Sequence, residues 1–392
     1  MKKLFFITWL VIIGLSANAQ WKQTSLNSGY VYSFAIKGDS IFAGTHDGIF
    51  LSSNGGSSWA AMDAGLTGNA LIVGALSVYK NKLFAGTDTC MYSSSNNGSS
   101  WSASGTGLTG IAIYVDAFAL NSDTIIAGTG GGVYLSSNNG ASWHAVNNGL
   151  YDSTWVGTLA IKEDTVFAGT YDSGLYVSAN NGHHWIKANT GLAFNLGVWA
   201  IAISGNNIIA ASDSGAYLSH NNGSSWTAVN TGLPSSYDDI NTLLSSGNNI
   251  FAGTGDGVYW TNNNGNSWTA VNTGLSYGNG IGALAVKEDT LFAGTYTEGI
   301  WKRAISEIAG IKELNNNACN IVVYPNPATN NLTIESLQNT TIEITNMQGQ
   351  LVETIVTKGN KTNIDVSALA SGVYVVQART KNGVGVKKFV KE

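Results

Sequence analysis

The sequence predicts an all-β protein, a seven-bladed β-propeller of four-stranded repeats followed by a small antiparallel β-sandwich. The pattern Ser/Thr-x-Asn-x-Gly-x-x-Trp occurs six times, with spacings of 42, 42, 42, 41 and 42 residues. A second pattern, Phe/Ile-Ala-Gly/Ala-Thr/Ser, occurs seven times. A period near 42 residues holds four short strands and their turns, which is one propeller blade.

The six Asn-Gly turns are expected to have a structural role. The Asn side chain can accept hydrogen bonds from backbone amides, the glycine can take a positive φ, and the Trp can pack on the neighbouring blade. The residues concerned are Asn54 and Trp59, Asn96 and Trp101, Asn138 and Trp143, Asn180 and Trp185, Asn221 and Trp226, and Asn263 and Trp268.

The seventh turn tryptophan is predicted to be Trp21, near the N-terminus. The chain would then begin with the outer strand of the last blade, and residues 281–303 would supply the other three strands. Closing the ring in this way removes two exposed strand edges. The propeller is therefore assigned to residues 20–303, with seven blades from the repeat count; six or eight blades remain open.

These turns resemble the Asp-box, or bacterial neuraminidase repeat, of sialidases, sortilin-type receptors, xyloglucanases and photosystem II assembly propellers. The chain departs from that pattern because Asn stands where Asp is usual. The resemblance implies the propeller fold and says little about function, since the repeat occurs in enzymes and in binding proteins.

Residues 1–19 are predicted to be a signal peptide. A basic start is followed by an apolar run from Leu4 to Leu15 and by Ala17-Asn18-Ala19, so cleavage is expected between Ala19 and Gln20. The apolar run is shorter than the ~20 residues that cross a bilayer. No transmembrane segment is expected.

After a linker at residues 304–319, residues 320–392 form a separate predicted domain of short alternating strands. This segment resembles the C-terminal sorting domain of the type IX secretion system of Bacteroidetes. The matching residues are Pro325, Asn326, Pro327, Gly349, Gly372, Tyr374, Lys387 and Lys388. The resemblance implies export through the periplasm, handling by the outer-membrane secretion machinery, and an extracellular or cell-surface location.

The composition of the propeller excludes some functions. Between Trp21 and Trp301 there are 7 lysines, no arginine and 17 acidic residues, a net charge of −10. Nucleic acid is therefore an improbable partner, and a sialidase would lack the arginines that hold its substrate carboxylate. No cofactor or metal site is predicted. Whether Cys90 pairs with Cys319 is left open.

One face of the ring is the candidate ligand-binding face. Its predicted residues are the turn acids Asp47, Asp88, Asp172, Asp213, Asp256 and Glu298 and the aromatic residues Tyr151, Trp155, Trp199, Tyr237 and Tyr277. Aromatic faces beside carboxylates suit sugar rings and their hydroxyls, although the same residues could simply make turns and cap the core.

We therefore expect a secreted or cell-surface propeller that binds a glycan or a protein without catalysis. The alternative is a polysaccharide-acting hydrolase or lyase. A hydrolase would need two opposed carboxylates, and the acidic residues of this face could supply them.

Overall fold

The computed structural model describes residues 20–27, 29–151, 154–193, 197–234, 240–276, 278, 280–308, 321–335, 340–346, 351–357, 359–380 and 383–392. It divides into two compact units, Met1–Ile308 and Ala309–Glu392. Each unit is described by itself.

In the first unit, the described residues form seven antiparallel four-stranded sheets, here called blades 1 to 7. Blades 1 to 3 contain β2 (Val31–Lys37), β3 (Ser40–Thr45), β4 (Gly48–Ser52) and β5 (Ala60–Ala61); β6 (Val73–Tyr79), β7 (Lys82–Thr87), β8 (Met91–Ser94) and β9 (Ser102–Ala103); and β10 (Val115–Leu120), β11 (Ile125–Thr129), β12 (Gly132–Ser136) and β13 (His144–Ala145). Short 3-10 turns at Gly68–Leu71 and Gly110–Ile113 precede blades 2 and 3.

The remaining blades repeat this order. Blades 4 to 6 contain β14 (Val156–Lys162), β15 (Thr165–Thr170), β16 (Leu175–Ser178) and β17 (Ile186–Lys187); β18 (Val198–Ser204), β19 (Asn207–Ser212), β20 (Gly215–Ser219) and β21 (Thr227–Ala228); and β22 (Ile240–Ser246), β23 (Asn249–Thr254), β24 (Gly257–Thr261) and β25 (Thr269–Ala270). Blade 7 contains β26 (Ile281–Lys287), β27 (Thr290–Thr295), β28 (Ile300–Ala304) and, as its outer strand, β1 (Lys22–Gln23).

The first strand of each blade is innermost and contacts the first strands of both neighbouring blades, with β26 contacting β2 to complete the circuit. The prediction of an all-β propeller of four-stranded repeats is confirmed. The second strand carries the small residues because the next blade packs against it. A Cβ on Gly86 would lie 2.1 Å from the carbonyl oxygen of Val115, so a side chain there would force adjacent blades apart.

Ring closure depends on the N-terminal strand. In β1, Lys22 pairs with Lys302 and Gln23 with Trp301 of β28. Trp21 is 1% exposed, and its backbone N–H donates to the carbonyl of Thr273 at 2.9 Å. The predicted outer strand from the N-terminus is therefore present, and it covers the edge of β28.

The turn tryptophans form a repeating indole relay. Each Nε1–H donates to the residue three positions after the tryptophan of the preceding blade. The pairs are Trp101 to Met62, Trp143 to Ser104, Trp185 to Val146, Trp226 to Ala188, Trp268 to Val229 and Trp21 to Val271, all at carbonyl oxygens 2.6–2.9 Å away. Trp59 completes the relay by donating to the Thr24 hydroxyl at 3.1 Å. Trp21 is thus the seventh member.

The Asn-Gly turns have the expected chemistry. The Asn96 Oδ1 accepts from the backbone N–H of Ser100 at 3.0 Å, and Gly98 has a φ of 82°. The intervening residue, Asn97, also takes a positive φ of 57°, in addition to the positive φ expected for the glycine. An Asn tolerates this left-handed region better than most side chains. The same acceptor pattern recurs at Asn54, Asn138, Asn180, Asn221 and Asn263.

The first unit continues to Ile308, five residues beyond the boundary at residue 303 suggested by the repeat. A short helix α1 (Ile305–Ile308) follows β28 and buries Ile305 and Ile308 in the cluster that contains Trp21. The backbone N–H of Ser306 donates to the Asp289 carboxylate at 3.0 Å. This segment therefore belongs to the propeller core.

The second unit contains two antiparallel sheets. One has the order β29 (Val322–Tyr324), β30 (Asn331–Glu335) and β33 (Lys361–Asp365), and the other has the order β32 (Leu351–Val356), β31 (Thr341–Asn346), β34 (Gly372–Thr380) and β35 (Gly383–Lys391). The short strands expected for residues 320–392 are present as seven strands in the described residues. Their core includes Ile334, Ile344 and Phe389.

Several residues that carry the sorting-domain resemblance have identifiable structural roles. The Asn326 side chain accepts from the backbone N–H of Val390 at 2.9 Å and donates to the Lys388 carbonyl at 3.2 Å, which ties it to β35. Tyr374 stacks on Phe389 and donates its hydroxyl to Ala370. Lys387 and Lys388 are exposed, Gly372 begins β34, and Gly349 lies outside the described residues.

Replacing Trp21 with Ala should cost about 3–5 kcal/mol of unfolding free energy, the range for emptying a large buried aromatic site. The change also leaves the Val271 carbonyl without its indole donor. Chemical denaturation of the mature protein measures the loss, with Tyr151→Ala as a control because Tyr151 is 74% exposed. A loss below about 1 kcal/mol, comparable with surface substitutions, would contradict the role of Trp21 in closing the ring.

Candidate functional site

The candidate site lies at the mouth of the central channel, where the innermost strands begin. Each innermost strand has a register shift around its second residue, which is left out of the ladder as a β-bulge. These bulge residues are Tyr32, Gly74, Asp116, Gly157, Trp199, Asn241 and Gly282. The backbone position repeats while the residue type changes from blade to blade.

The described residues around this mouth enclose a cavity of about 430 Å³, within the range of small-molecule sites of about 300–1,000 Å³. Its lining comprises Tyr32, Gly74, Asp116, Gly157, Tyr171, Trp199, Asn241 and Tyr296. Six of these eight residues are bulge residues. The two others come from turns between second and third strands.

Tyr171 and Tyr296 lie in turns that are one residue longer than the others. In blades 4 and 7 the turn threonine donates its hydroxyl to a glycine carbonyl four residues on, Thr170 to Gly174 and Thr295 to Gly299. In blades 1, 3 and 6 that distance is three residues. Each tyrosine directly follows the turn threonine. Its backbone N–H donates to the residue before the innermost strand of its own blade, Tyr171 to Trp155 and Tyr296 to Gly280.

Each of these tyrosines fills the space above a bulge glycine. A Cβ on Gly157 would lie 2.2 Å from the Tyr171 ring, and a Cβ on Gly282 would lie 2.7 Å from the Tyr296 ring. The bulge glycines of blades 4 and 7 therefore make room for an aromatic ring from the adjacent turn.

A row of stacked aromatic rings borders the cavity. Tyr114 stacks on Trp155 at 5.9 Å, Trp155 stacks on Tyr171 at 5.6 Å, and Tyr171 meets Trp199 at 4.9 Å with a tilt of 39°. Because Trp155 lies between two rings, both of its faces are covered. Trp199, which is 36% exposed, offers the more accessible indole surface.

Both indole N–H groups at the mouth donate to carboxylates. The Trp155 Nε1 donates to Asp116, which also lies 3.5 Å from the Tyr171 hydroxyl. The Trp199 Nε1 donates to Asp213 at 2.5 Å, and the other Asp213 oxygen accepts from the backbone N–H of Gly197 at 2.8 Å. These bonds fix the orientation of the two indole rings.

Burial raises the pKa of the Asp116 carboxyl, and the nearby Asp88 charge raises it further, while the donated bonds from Trp155 and Tyr171 act in the opposite direction. Burial likewise raises the pKa of Tyr171, with the Asp116 charge adding to the effect. The pKa values of Tyr32 and Tyr296 are also raised, mainly by burial. The three phenols therefore stay protonated at neutral pH.

Charge differs between the two ends of the propeller. The sequence places no lysine or arginine in any interblade connection or in any turn between second and third strands, which are the segments at the mouth. Five lysines lie instead at the opposite ends of the innermost strands, in the first hairpins: Lys37, Lys80, Lys82, Lys162 and Lys287. Charges of one sign around a concave surface concentrate their field there, so the mouth attracts cations.

Only some of the residues predicted for the ligand-binding face lie at the cavity. Trp155 and Trp199 belong to the aromatic row, Asp213 orients Trp199, and Asp47 and Asp88 lie close enough to Tyr32 to raise its pKa. Asp172 and Tyr151 lie beside Tyr176 and are not among the lining residues of the cavity. Asp256 is exposed and Glu298 is half-buried. Tyr237 and Tyr277 lie outside the described residues.

Of the eight lining residues, sequence reasoning found only Trp199. It missed Gly74 and Gly157 and five residues with polar or aromatic side chains: Tyr32, Asp116, Tyr171, Asn241 and Tyr296. Two signals in the repeat alignment would have found four of them. Tyr171 and Tyr296 lie in the two turns that carry one extra residue, and Asp116 and Asn241 are polar at an inner-strand position that is glycine in three other blades.

Metal and disulfide chemistry receive no support within the described ranges. No three His, Cys, Asp or Glu side chains converge there on a possible metal position. Cys90 is a free thiol in that part of the chain, and Cys319 lies outside it. No described helix is long and apolar enough to cross a membrane.

The fold and the C-terminal unit together define an exported β-propeller protein. Residues 322–392 match the family described as the secretion system C-terminal sorting domain. The segment marks the chain for type IX secretion to the cell surface or the extracellular space, as predicted. No curated protein matches the sequence.

Several solved structures share the fold at low sequence identity. PorZ, a surface component of the type IX secretion system of Porphyromonas gingivalis, has a TM-score of 0.57 and 15% identity over 93% of this chain and 59% of PorZ. The extracellular domain of a putative hybrid two-component system of B. thetaiotaomicron has a TM-score of 0.61 and 16% identity over 81% of this chain and 45% of that one. The chain thus spans about half the length of these two relatives.

A third similar structure, YCF48 from Cyanidioschyzon merolae, has a TM-score of 0.55 and 14% identity over 73% of this chain and 98% of YCF48. YCF48 has also been solved bound to a D1 peptide, and that structure has a TM-score of 0.57 and 14% identity over 74% of this chain and 98% of that one. At such identities the likeness shows the fold alone.

Replacing Asp116 with Asn should stabilise the protein at pH 7 and leave it unchanged at low pH. Because the folded-state pKa of Asp116 is raised, the neutral form contributes stability below the unfolded-state pKa of about 3.9, and that stability is lost as pH rises through the folded pKa. Asn stays neutral and can still accept the Trp155 N–H. Denaturation across pH 3–8 measures the difference.

The exposed Asp164, in the first hairpin of blade 4 at the opposite end, provides the matched control as Asp164→Asn. A loss of stability in Asp116→Asn at pH 7, or a gain of the same size in Asp164→Asn, would contradict the assigned environment of Asp116.

Proposed function

We propose that this protein is a non-catalytic surface or secreted propeller that binds a glycan or protein ligand at the mouth of its central channel. The observation that carries the proposal is the open cavity of about 430 Å³ beside the partly exposed Trp199 ring. A well-formed cavity with aromatic walls and a few convergent polar groups is the usual form of a ligand site.

Variation among the repeats supports this position. Residues that hold the blades together, such as the relay tryptophans, recur from blade to blade because every blade needs them. The bulge position instead holds Tyr, Gly, Asp, Trp and Asn in different blades, although its backbone geometry is the same. Gly157 and Gly282 make room for the Tyr171 and Tyr296 rings, but no single residue type is required at this position in all blades, as is expected at a surface that is specialised for binding.

The similar structures are compatible with binding and do not identify the ligand. One is a bacterial surface component, one is an extracellular domain, and one was solved with a peptide. Propellers host many functions on one fold, so the ligand class must come from the chemistry of this cavity.

A polysaccharide-acting hydrolase or lyase remains the second candidate. The raised pKa of Asp116 favours it, because a carboxyl that holds its proton more tightly can act as a general acid. A hydrolase needs a second carboxylate. Asp213 is the candidate, but both of its oxygens accept hydrogen bonds from Gly197 and Trp199. Binding without turnover is therefore the better supported function.

We further propose the processing that the sequence implies. Residues 1–19 would be removed as a signal peptide. Residues 304–319 would link the propeller to the sorting domain at 320–392, although Ile305 and Ile308 at the start of this segment pack in the propeller core. The six Asn-Gly turns would be variants of the Asp-box with Asn in place of Asp. None of these elements adds a cofactor.

A glycan and protein binding panel on the mature protein tests the proposed site. Trp199→Ala should weaken binding of any ligand found by at least tenfold, about 1.4 kcal/mol, because central aromatic residues dominate binding energies. Tyr151→Ala is the matched control, since Tyr151 is a highly exposed aromatic outside the cavity lining. Equal affinity of Trp199→Ala and the parent would place the site elsewhere, and release of reducing ends from a bound glycan would favour the enzyme.

A further inference from the structure

The hydrogen-bonding inventory of the cavity narrows the class of ligand. The two indole N–H donors at the mouth are engaged by Asp116 and Asp213. A ligand therefore meets the remaining acceptor capacity of the Asp116 carboxylate, the phenol groups of Tyr32 and Tyr296, the Asn241 amide and the Trp199 ring. Carboxylate oxygens and the negative face of an aromatic ring both favour a ligand that donates hydrogen bonds and carries positive charge.

The electrostatic environment points the same way. Asp116 is half-buried, and no described lysine, arginine or histidine forms an ion pair with it. Its charged neighbour is Asp88, another carboxylate. A partly desolvated carboxylate without a cation is costly, and a bound cation would remove that cost. An anionic ligand would be repelled by these carboxylates, and the segments at the mouth offer it no lysine or arginine.

We propose that the cavity binds a protonated primary amine carried on a saccharide, that is, an amino sugar. This proposal rests on the proposed function and specifies the ligand of the same site. The ammonium group would donate to Asp116 and lie near the accessible Trp199 ring, because the Tyr171 ring already contacts Trp155 and Trp199. Aromatic rings attract such a cation with about 0.5–2 kcal/mol depending on its desolvation.

The other polar groups favour a sugar over a lysine side chain. A lysine offers one ammonium group on an apolar stem, so the Asn241 amide and the Tyr32 and Tyr296 hydroxyls of the cavity would have no ligand partner. A sugar ring supplies hydroxyls to these groups, and its apolar face can lie on the accessible Trp199 indole. An amino sugar thus matches the whole lining.

The test compares a trimer of β-1,4-linked glucosamine with its N-acetylated counterpart, using calorimetry on the mature full-length protein. The two trimers share their shape and hydroxyls, but acetylation removes the positive charge. We expect the amino trimer to bind at least tenfold more tightly, and its affinity to fall as salt is raised and as pH is raised to neutralise the amine.

Two variants assign the effect to the cavity. Asp116→Asn should abolish the preference for the amino trimer, whereas Asp164→Asn, which removes the same charge at the opposite end of the propeller, should retain it. Circular dichroism and thermal unfolding check that both variants are folded.

The remaining outcomes separate the two proposals. If both trimers bind equally and Trp199→Ala abolishes this binding, the proposed site at the channel mouth stands and the proposal of an amine ligand is wrong. Binding of a lysine-containing peptide in an Asp116-dependent manner, without binding of the amino trimer, would overturn the saccharide. Absence of binding by either trimer and by the peptide would overturn the amine proposal, while binding of another partner that needs Trp199 would still sustain the proposed site.

Discussion

The structure depends on the indole relay, in which the tryptophan of each blade donates to the blade before it. The donor and acceptor keep the same three-residue offset in all seven steps, including the step from Trp59 to Thr24 that crosses the N-terminal strand. The relay joins the outer-strand segments of adjacent blades through hydrogen bonds that are buried or partly buried, where an unpaired indole would be costly. Because Trp21 supplies one step, the ring closes only when β1 pairs with β28.

This arrangement separates the residues that hold the fold from those that form the site. The relay, the Asn-Gly turns and the small residues of the second strands lie between blades or at the end opposite the channel mouth. The bulge residues at the mouth belong to none of these contacts, so their side chains are free to differ. The aromatic row and Asp116 are concentrated in blades 3 to 5. The blades repeat around the ring, but the side chains that line the cavity therefore differ from one side to the other.

The sequence was sufficient to predict the features that repeat. The Trp spacing predicted the blades, the Asn-Gly pattern predicted the turns, and the missing seventh repeat predicted the role of Trp21. The cavity was harder to predict because a β-bulge changes which side chain faces the channel, and a one-residue change in a strand reverses the side to which residues point. The alternation pattern therefore gave no sign that Asp116, the bulge residue of β10, lines the cavity, and the only sequence signal for Tyr171 and Tyr296 is that they lie in longer turns.

Hydrogen exchange of the mature protein, measured with and without a saturating glucosamine trimer, tests most directly whether the ligand site is the channel mouth. We predict slower exchange in the turns around Tyr171 and Asp213 and in the start of β18, with no change in the Asn-Gly turns at the opposite end. Protection confined to the Asn-Gly turns or to the outer strands, with the mouth unchanged, would contradict the account.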